Sequence, residues 1–129
     1  MKAILCILLT FSSNVVAAQT TQMLVRISEI EIYPEHVREY SSILKTEAAA
    51  SVKLEQGVIA IFPMFQKADS TQCRILEIYS DQEAYQKHLK TPHFQHYKTS
   101  TAKMVKSLKL VDMKAIDEET MGRIFRKKE

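Results

Sequence analysis

Three of the chain's four histidines, His88, His93 and His96, fall within nine residues, in the stretch KHLKTPHFQHY. Imidazole is the side chain that gains or loses a proton near neutral pH, so this cluster is the first place to look for acid–base chemistry. Pro92 interrupts the helical spacing between His88 and His93, because it lacks an N–H and crowds the preceding turn. A helix broken beside imidazoles and rings lines a pocket, or else it is a kinked core helix. Metal ligation is not favoured by spacing. No two of these histidines stand i,i+4 on one unbroken helix, and no Cys pair or acidic cluster joins them. A Ser/His/Asp nucleophile set has no elbow motif to support it. With only Gly57 and Gly122 in the chain, Gly-rich phosphate loops are excluded.

The elements around the cluster read clearly. Ser80 followed by Glu83 has the form of a capping box opening a helix. Tyr85, His88 and Leu89 lie on one face, and Thr101, Met104 and Val105 continue helical spacing after the break. Before it, Met23–Ile32 and Gln72–Tyr79 read as strands, rich in β-branched residues. Pro34 suits the first residue of a helix whose stripe is Val37, Tyr40, Leu44, Ala48 and Ser51, with Gly57 as its C-cap. Val58–Phe65 is almost continuously apolar, which implies that both of its faces are covered. Pro63 in that strand points to an edge or a bulge. Leu108–Ile116 is expected to be a fourth strand. The order β-α-β-β-α-β is that of a ferredoxin-like α+β fold, a four-stranded antiparallel sheet with both helices on one face. The chain is too short to cover the other face itself, so a homodimer through the open sheet face is expected.

At 129 residues the chain makes one domain, and 46% hydrophobic with 26% charged residues is ordinary for a globular protein. The formal net charge is +3 with no dense basic face, so nucleic acid is not expected as a partner. Residues 1–18 read as a cleavable signal peptide: Lys2, an apolar run from Ala3 to Phe11, and a small-residue site at Val16-Ala17-Ala18. The run is too short to span a bilayer, so no stable membrane anchor is expected after cleavage, and the location is periplasmic or secreted. Cleavage takes Cys6 and leaves Cys73 as a lone thiol, read as a small apolar residue in a strand. Residues 19–22 are a polar lead-in, 23–116 the domain, and 117–129 a charged tail. That tail either packs on a second subunit or stays disordered.

The segment LEIYSDQEAYQKHLKTPHFQHY resembles the antibiotic biosynthesis monooxygenase domain family, through Glu77, Tyr79, Asp81, Ala84, His88 and Thr91-Pro92-His93-Phe94. Leu54-Glu55-Gln56-Gly57 resembles the family's Glu-x-Gly before the second strand, and the likeness runs from Met23 to Ile116. It implies a dimeric α+β barrel with a cavity between sheet and helices in each subunit. It further implies cofactor-independent oxygenation of a quinol-like or aromatic small molecule, or a non-catalytic ligand-binding or stress-associated dimer of the same fold. Haem-degrading relatives use a Trp that this chain lacks, and export counts against a phosphorylated cytoplasmic substrate. Oxygenation without a cofactor needs a base, donors for an oxyanion and a dry cavity. The expected base or oxyanion partner is His93, with His88 second. Glu77 either orients one of them, bonds a backbone group, or pairs with Arg74 or Arg26. Phe62, Phe65, Tyr79, Tyr85, Phe94 and Tyr97 are the expected pocket walls or, on the plainer reading, core.

Overall fold

The computed structural model describes residues 22–117 and 119. The expected signal segment, Cys6 and nearly all of the tail lie outside them. The elements are β1 (Leu24–Ile32), a single 3-10 turn (Pro34–His36), α1 (Val37–Leu54), β2 (Val58–Phe65), β3 (Gln72–Tyr79), α2 (Gln82–His88), α3 (Pro92–Thr101) and β4 (Val105–Met113). The strands form one antiparallel sheet in the order β2-β3-β1-β4, so the ferredoxin-like expectation holds. β2 is an edge strand with a register shift between Val58 and Ala60, which is where Pro63 can sit without breaking an inner ladder.

Register fixes what each face carries. Ser28 opposes Ile75 and Ile30 opposes Cys73, so Arg26, Ser28, Ile30, Ile75, Glu77 and Tyr79 share the face under the helices. Ile61 joins them from β2, opposite Glu77. Tyr40, Leu44, Ala48 and Ser51, spaced at the helical repeat, press α1 onto that face and are buried. Tyr40, Tyr79 and Cys73 are fully enclosed, and burial pushes the Cys73 thiol up to about 11. The other face is bare in a single chain: Phe62 is 60% and Met64 39% exposed, so the apolar run in β2 is not covered on both sides within one subunit. No helix of the described residues is long and apolar enough to cross a membrane.

Three local expectations are corrected. Asp81, not Ser80, caps α2, its Oδ1 accepting from the Ala84 N–H at 2.7 Å. A carboxylate there also meets the positive end of the helix dipole. Pro92, by contrast, breaks the helix as one of its two readings expected: α2 ends at His88, and α3 starts afresh with Thr91 as cap and Pro92 in its first turn. β4 begins at Val105, earlier than its apolar pattern suggests, and Ile116 stands clear of the sheet, fully exposed. Gly57 does not adopt the left-handed cap conformation, and α1 is capped at Glu55. What Gly57 supplies is room, since a Cβ there would lie 2.4 Å from the Ala84 Cβ. Alanine has no rotamer to yield with, so α2 would have to lift from the β2 entrance. Gly57→Ala should therefore cost about 1–3 kcal/mol in chemical denaturation. Adding Ala84→Gly should recover part of that loss; no recovery would place the strain elsewhere.

Candidate functional site

Between the helix face of the sheet and α2–α3 lies a cavity of about 520 Å³, within the usual range for small-molecule sites. Its floor carries Arg26, Ser28, Glu77 and Tyr79; its roof carries Glu47, Tyr85, His88, Phe94 and Tyr97. α2 and α3 leave β4 partly uncovered, so Leu108 and Leu110 are 58% and 49% exposed at the rim.

His88 is the histidine in this cavity, and it is 2% exposed. Rings hold it on two sides, with Phe94 at 4.7 Å and Tyr79 at 5.3 Å between centroids. Its Nδ1 lies 3.0 Å from Glu55 Oε1, and His93 Nε2 lies 2.5 Å from the same oxygen. Partial burial alone would raise the Glu55 pKa. The hydrogen bonds from His93 and His88, and their charge, outweigh it and hold the carboxyl below its ordinary range. An ionised carboxylate only accepts, so both histidines donate to it. For a neutral His88 the proton is then on Nδ1, and the Nε2 lone pair is unspent. Glu47 Oε1 is 3.8 Å from that Nε2, too long for a hydrogen bond. Burial pushes the Glu47 carboxyl up, against the opposing effects of the Ser51 hydroxyl, which donates to it at 2.7 Å, and of His88.

The other expected site residues are distributed as follows. His93 lies behind His88, beside a recess of about 160 Å³ shared with Thr46, Glu47 and His96, and does not itself line the larger cavity. Glu77 faces the cavity but touches neither histidine. It accepts from Ser28 Oγ at 2.5 Å and Tyr79 OH at 2.9 Å. Nor does it pair with an arginine: Arg26 turns to Asp112 and stacks over the Tyr85 ring, and Arg74 donates to the Cys73 carbonyl. Tyr79, Tyr85, Phe94 and Tyr97 line the cavity. Phe62 points to the bare sheet face, and Phe65 flanks a separate hollow against α1. Glu47 was not singled out from sequence, although it falls on the buried stripe of α1, three residues past Leu44; Glu55 was named only within the Leu54-Glu55-Gln56-Gly57 likeness, with no role in the site.

Glu55, His88 and His93 also offer three donor atoms within 4.8 Å of one another, a set that zinc or non-haem iron can take. Two ligands about 2.0 Å from one tetrahedral ion stand roughly 3.3 Å apart. The 2.5 Å Glu55–His93 contact is shorter than that, so these atoms are arranged as a hydrogen-bonded relay.

A four-stranded sheet roofed on one side by helices, with an aromatic-walled cavity between them, defines the class of the protein as a ferredoxin-like α+β domain. The antibiotic biosynthesis monooxygenase family model matches residues 23–100, and the chain belongs to that family. A Bacteroides thetaiotaomicron structure, a candidate antibiotic biosynthesis monooxygenase, is 41% identical, with TM-score 0.73 over 74% of this chain and 90% of its own. A candidate monooxygenase from Lactobacillus acidophilus is 26% identical, with TM-score 0.68 over 72% of this chain and 45% of its own. A Pseudomonas aeruginosa protein shares the fold at 20% identity, with TM-score 0.70 over 76% of this chain and 98% of its own. No curated protein matches.

The depressed Glu55 pKa has a consequence for stability. A carboxyl lowered by folding adds stability above its unfolded pKa and loses it as pH falls through the folded value. Glu55→Gln should therefore be less stable than wild type at pH 7, with the difference closing below about pH 4. A stability gap that stays constant down to acid pH would mean the relay contributes nothing through charge.

Proposed function

We propose that the protein is a cofactor-independent monooxygenase of a quinol-like or aromatic small molecule. The observation that carries this reading is His88 in the aromatic-walled cavity, its Nε2 lone pair unspent while Glu55 holds the opposite ring nitrogen. That is the arrangement of a general base with an orienting carboxylate. His88 takes the place that the sequence reading gave to His93, which becomes a second donor fixing Glu55.

The reaction needs nothing beyond substrate and dioxygen. His88 Nε2 removes a hydroxyl proton, and the resulting phenolate gives one electron to dioxygen. The ring radical and superoxide combine at a ring carbon as a peroxide. The O–O bond then breaks: one oxygen stays on the ring, and the other leaves as water with the ring hydrogen and a hydroxyl hydrogen. A hydroquinone plus dioxygen becomes a hydroxyquinone plus water, so substrate supplies all the electrons. Apolar walls from Ile30, Leu44, Ile61 and Ile75 keep bulk water from the charged intermediates.

Dioxygen uptake with a panel of hydroquinones tests this. His88→Gln should lower kcat/KM about 100-fold or more, and His93→Gln less, because it acts only through Glu55. Equal uptake by wild type and His88→Gln would overturn His88 as the base, and no uptake by wild type would leave a ligand-binding module without this chemistry.

Two further parts of the reading concern assembly and place. Phe62, Met64 and Met113 are exposed on the bare face, where Val25, Ile27 and Leu76 also lie, and they suit burial against a second copy. The leader pattern in residues 1–18 suits export. Native mass spectrometry of the protein purified from its own cells reads both, and should give two copies of a chain beginning at Gln19. A monomer would sink the dimer, and an intact Met1 the export.

A further inference from the structure

Tyr40 and Tyr97 place their hydroxyl oxygens 2.7 Å apart, with their rings edge to face at 6.0 Å. Either could donate on geometry alone, but their surroundings decide it. Tyr40 is wholly enclosed by the core and has no other hydrogen-bond partner among the described residues. Were Tyr97 the donor, the Tyr40 proton would be shut in the core with nothing to accept it, which is costly. Tyr40 therefore donates and Tyr97 accepts. An accepting hydroxyl keeps its own proton to give elsewhere. Tyr97 lines the cavity, one helical turn beyond Phe94, the ring that stacks on His88. Burial pushes the Tyr97 hydroxyl up to about 12, so it holds that proton at neutral pH.

We infer that the Tyr97 hydroxyl is the cavity's oxyanion donor, aimed by Tyr40, and that it binds a phenolate or enolate oxygen of the bound aromatic. This rests on reading the cavity as the substrate site. Tyr97 is then a catalytic residue in the same sense as His88: one group removes the proton, the other holds the charge left behind. Tyr40 is a positioning residue, since it touches only Tyr97. Its own hydrogen bond withdraws density from the Tyr97 oxygen and strengthens the donor it serves.

Two measurements test this. In the ligand-free protein, Tyr97→Phe strands the Tyr40 proton, whereas Tyr40→Phe leaves Tyr97 free to bond water in the cavity. Tyr97→Phe should therefore melt lower than Tyr40→Phe, by about 4–8 °C. The reverse order would overturn the assigned direction of the bond. The second uses 4-nitrophenol, titrated into each protein at pH values where it is neutral and where it is ionised. Tyr97→Phe should bind the phenolate at least about tenfold more weakly than wild type does, with binding of the neutral phenol changed less than about threefold. Tyr40→Phe should show the same selectivity to a smaller degree, which a loss of packing alone would not produce. Equal phenolate binding by wild type and Tyr97→Phe overturns the donor role alone. Absence of any wild-type binding overturns the cavity reading itself.

Discussion

A single carboxylate, Glu55, holds the roof of this molecule together. It sits where α1 gives way to the β2 entrance and receives hydrogen bonds from His88 at the end of α2 and His93 at the start of α3. The end of α1, α2 and α3 are thereby tied together at one point. A buried or half-buried charge is tolerated only when hydrogen-bonded, and here both donors come from the helices that must be positioned. The same contact sets the tautomer of His88. Structure and chemistry are thus one interaction, and the break between α2 and α3 is what makes it possible. A continuous helix through Pro92 would place His88 and His93 five residues apart, on different faces, unable to share one oxygen.

The sheet is loaded unequally. On its helix face, large side chains pack against α1 at the β2–β3–β1 side, and the space opens toward β4. The cavity is therefore a consequence of topology: α1 covers one side of the sheet, and the two short helices leave the β4 side partly open. Polar side chains gather where the roof thins, from Arg26 with Asp112 to Glu77 with Ser28 and Tyr79. Each of these has a partner within the subunit. Such a satisfied, rigid lining costs little reorganisation when charge develops inside it.

Much of this was legible in the residues. β2 and β3 follow directly from their apolar runs, and the α1 stripe from its 3.6-residue spacing. The ferredoxin-like order follows from the succession of elements. The site was less legible, for a physical reason. Spacing reveals which residues share one element, but Glu55 meets His88 and His93 across 33 and 38 residues of chain. Glu77 attracted notice as a carboxylate in an apolar strand, yet two hydroxyls satisfy it, and nothing in the strand's own pattern names Ser28 on a neighbouring strand. Glu47 was visible as an acid on a buried stripe. The start of the fourth strand was misplaced because Val105 continues the helical spacing of Thr101 and Met104, which assigned it to the helix instead. The Asp81 cap was hidden by Ser80 beside it, an equally good capping type one position early.

Cys73 lies at the centre of the molecule, in β3 between the two sheet neighbours, with its thiol enclosed and held protonated. Thiolate is the form that attacks alkylating reagents and other sulfurs, so the folded chain is chemically silent toward them even in an oxidising medium. Modification has to wait until the strand leaves the sheet. The pace at which an alkylating reagent consumes this sulfur is thus a clock for global opening, built into the chain without any added label.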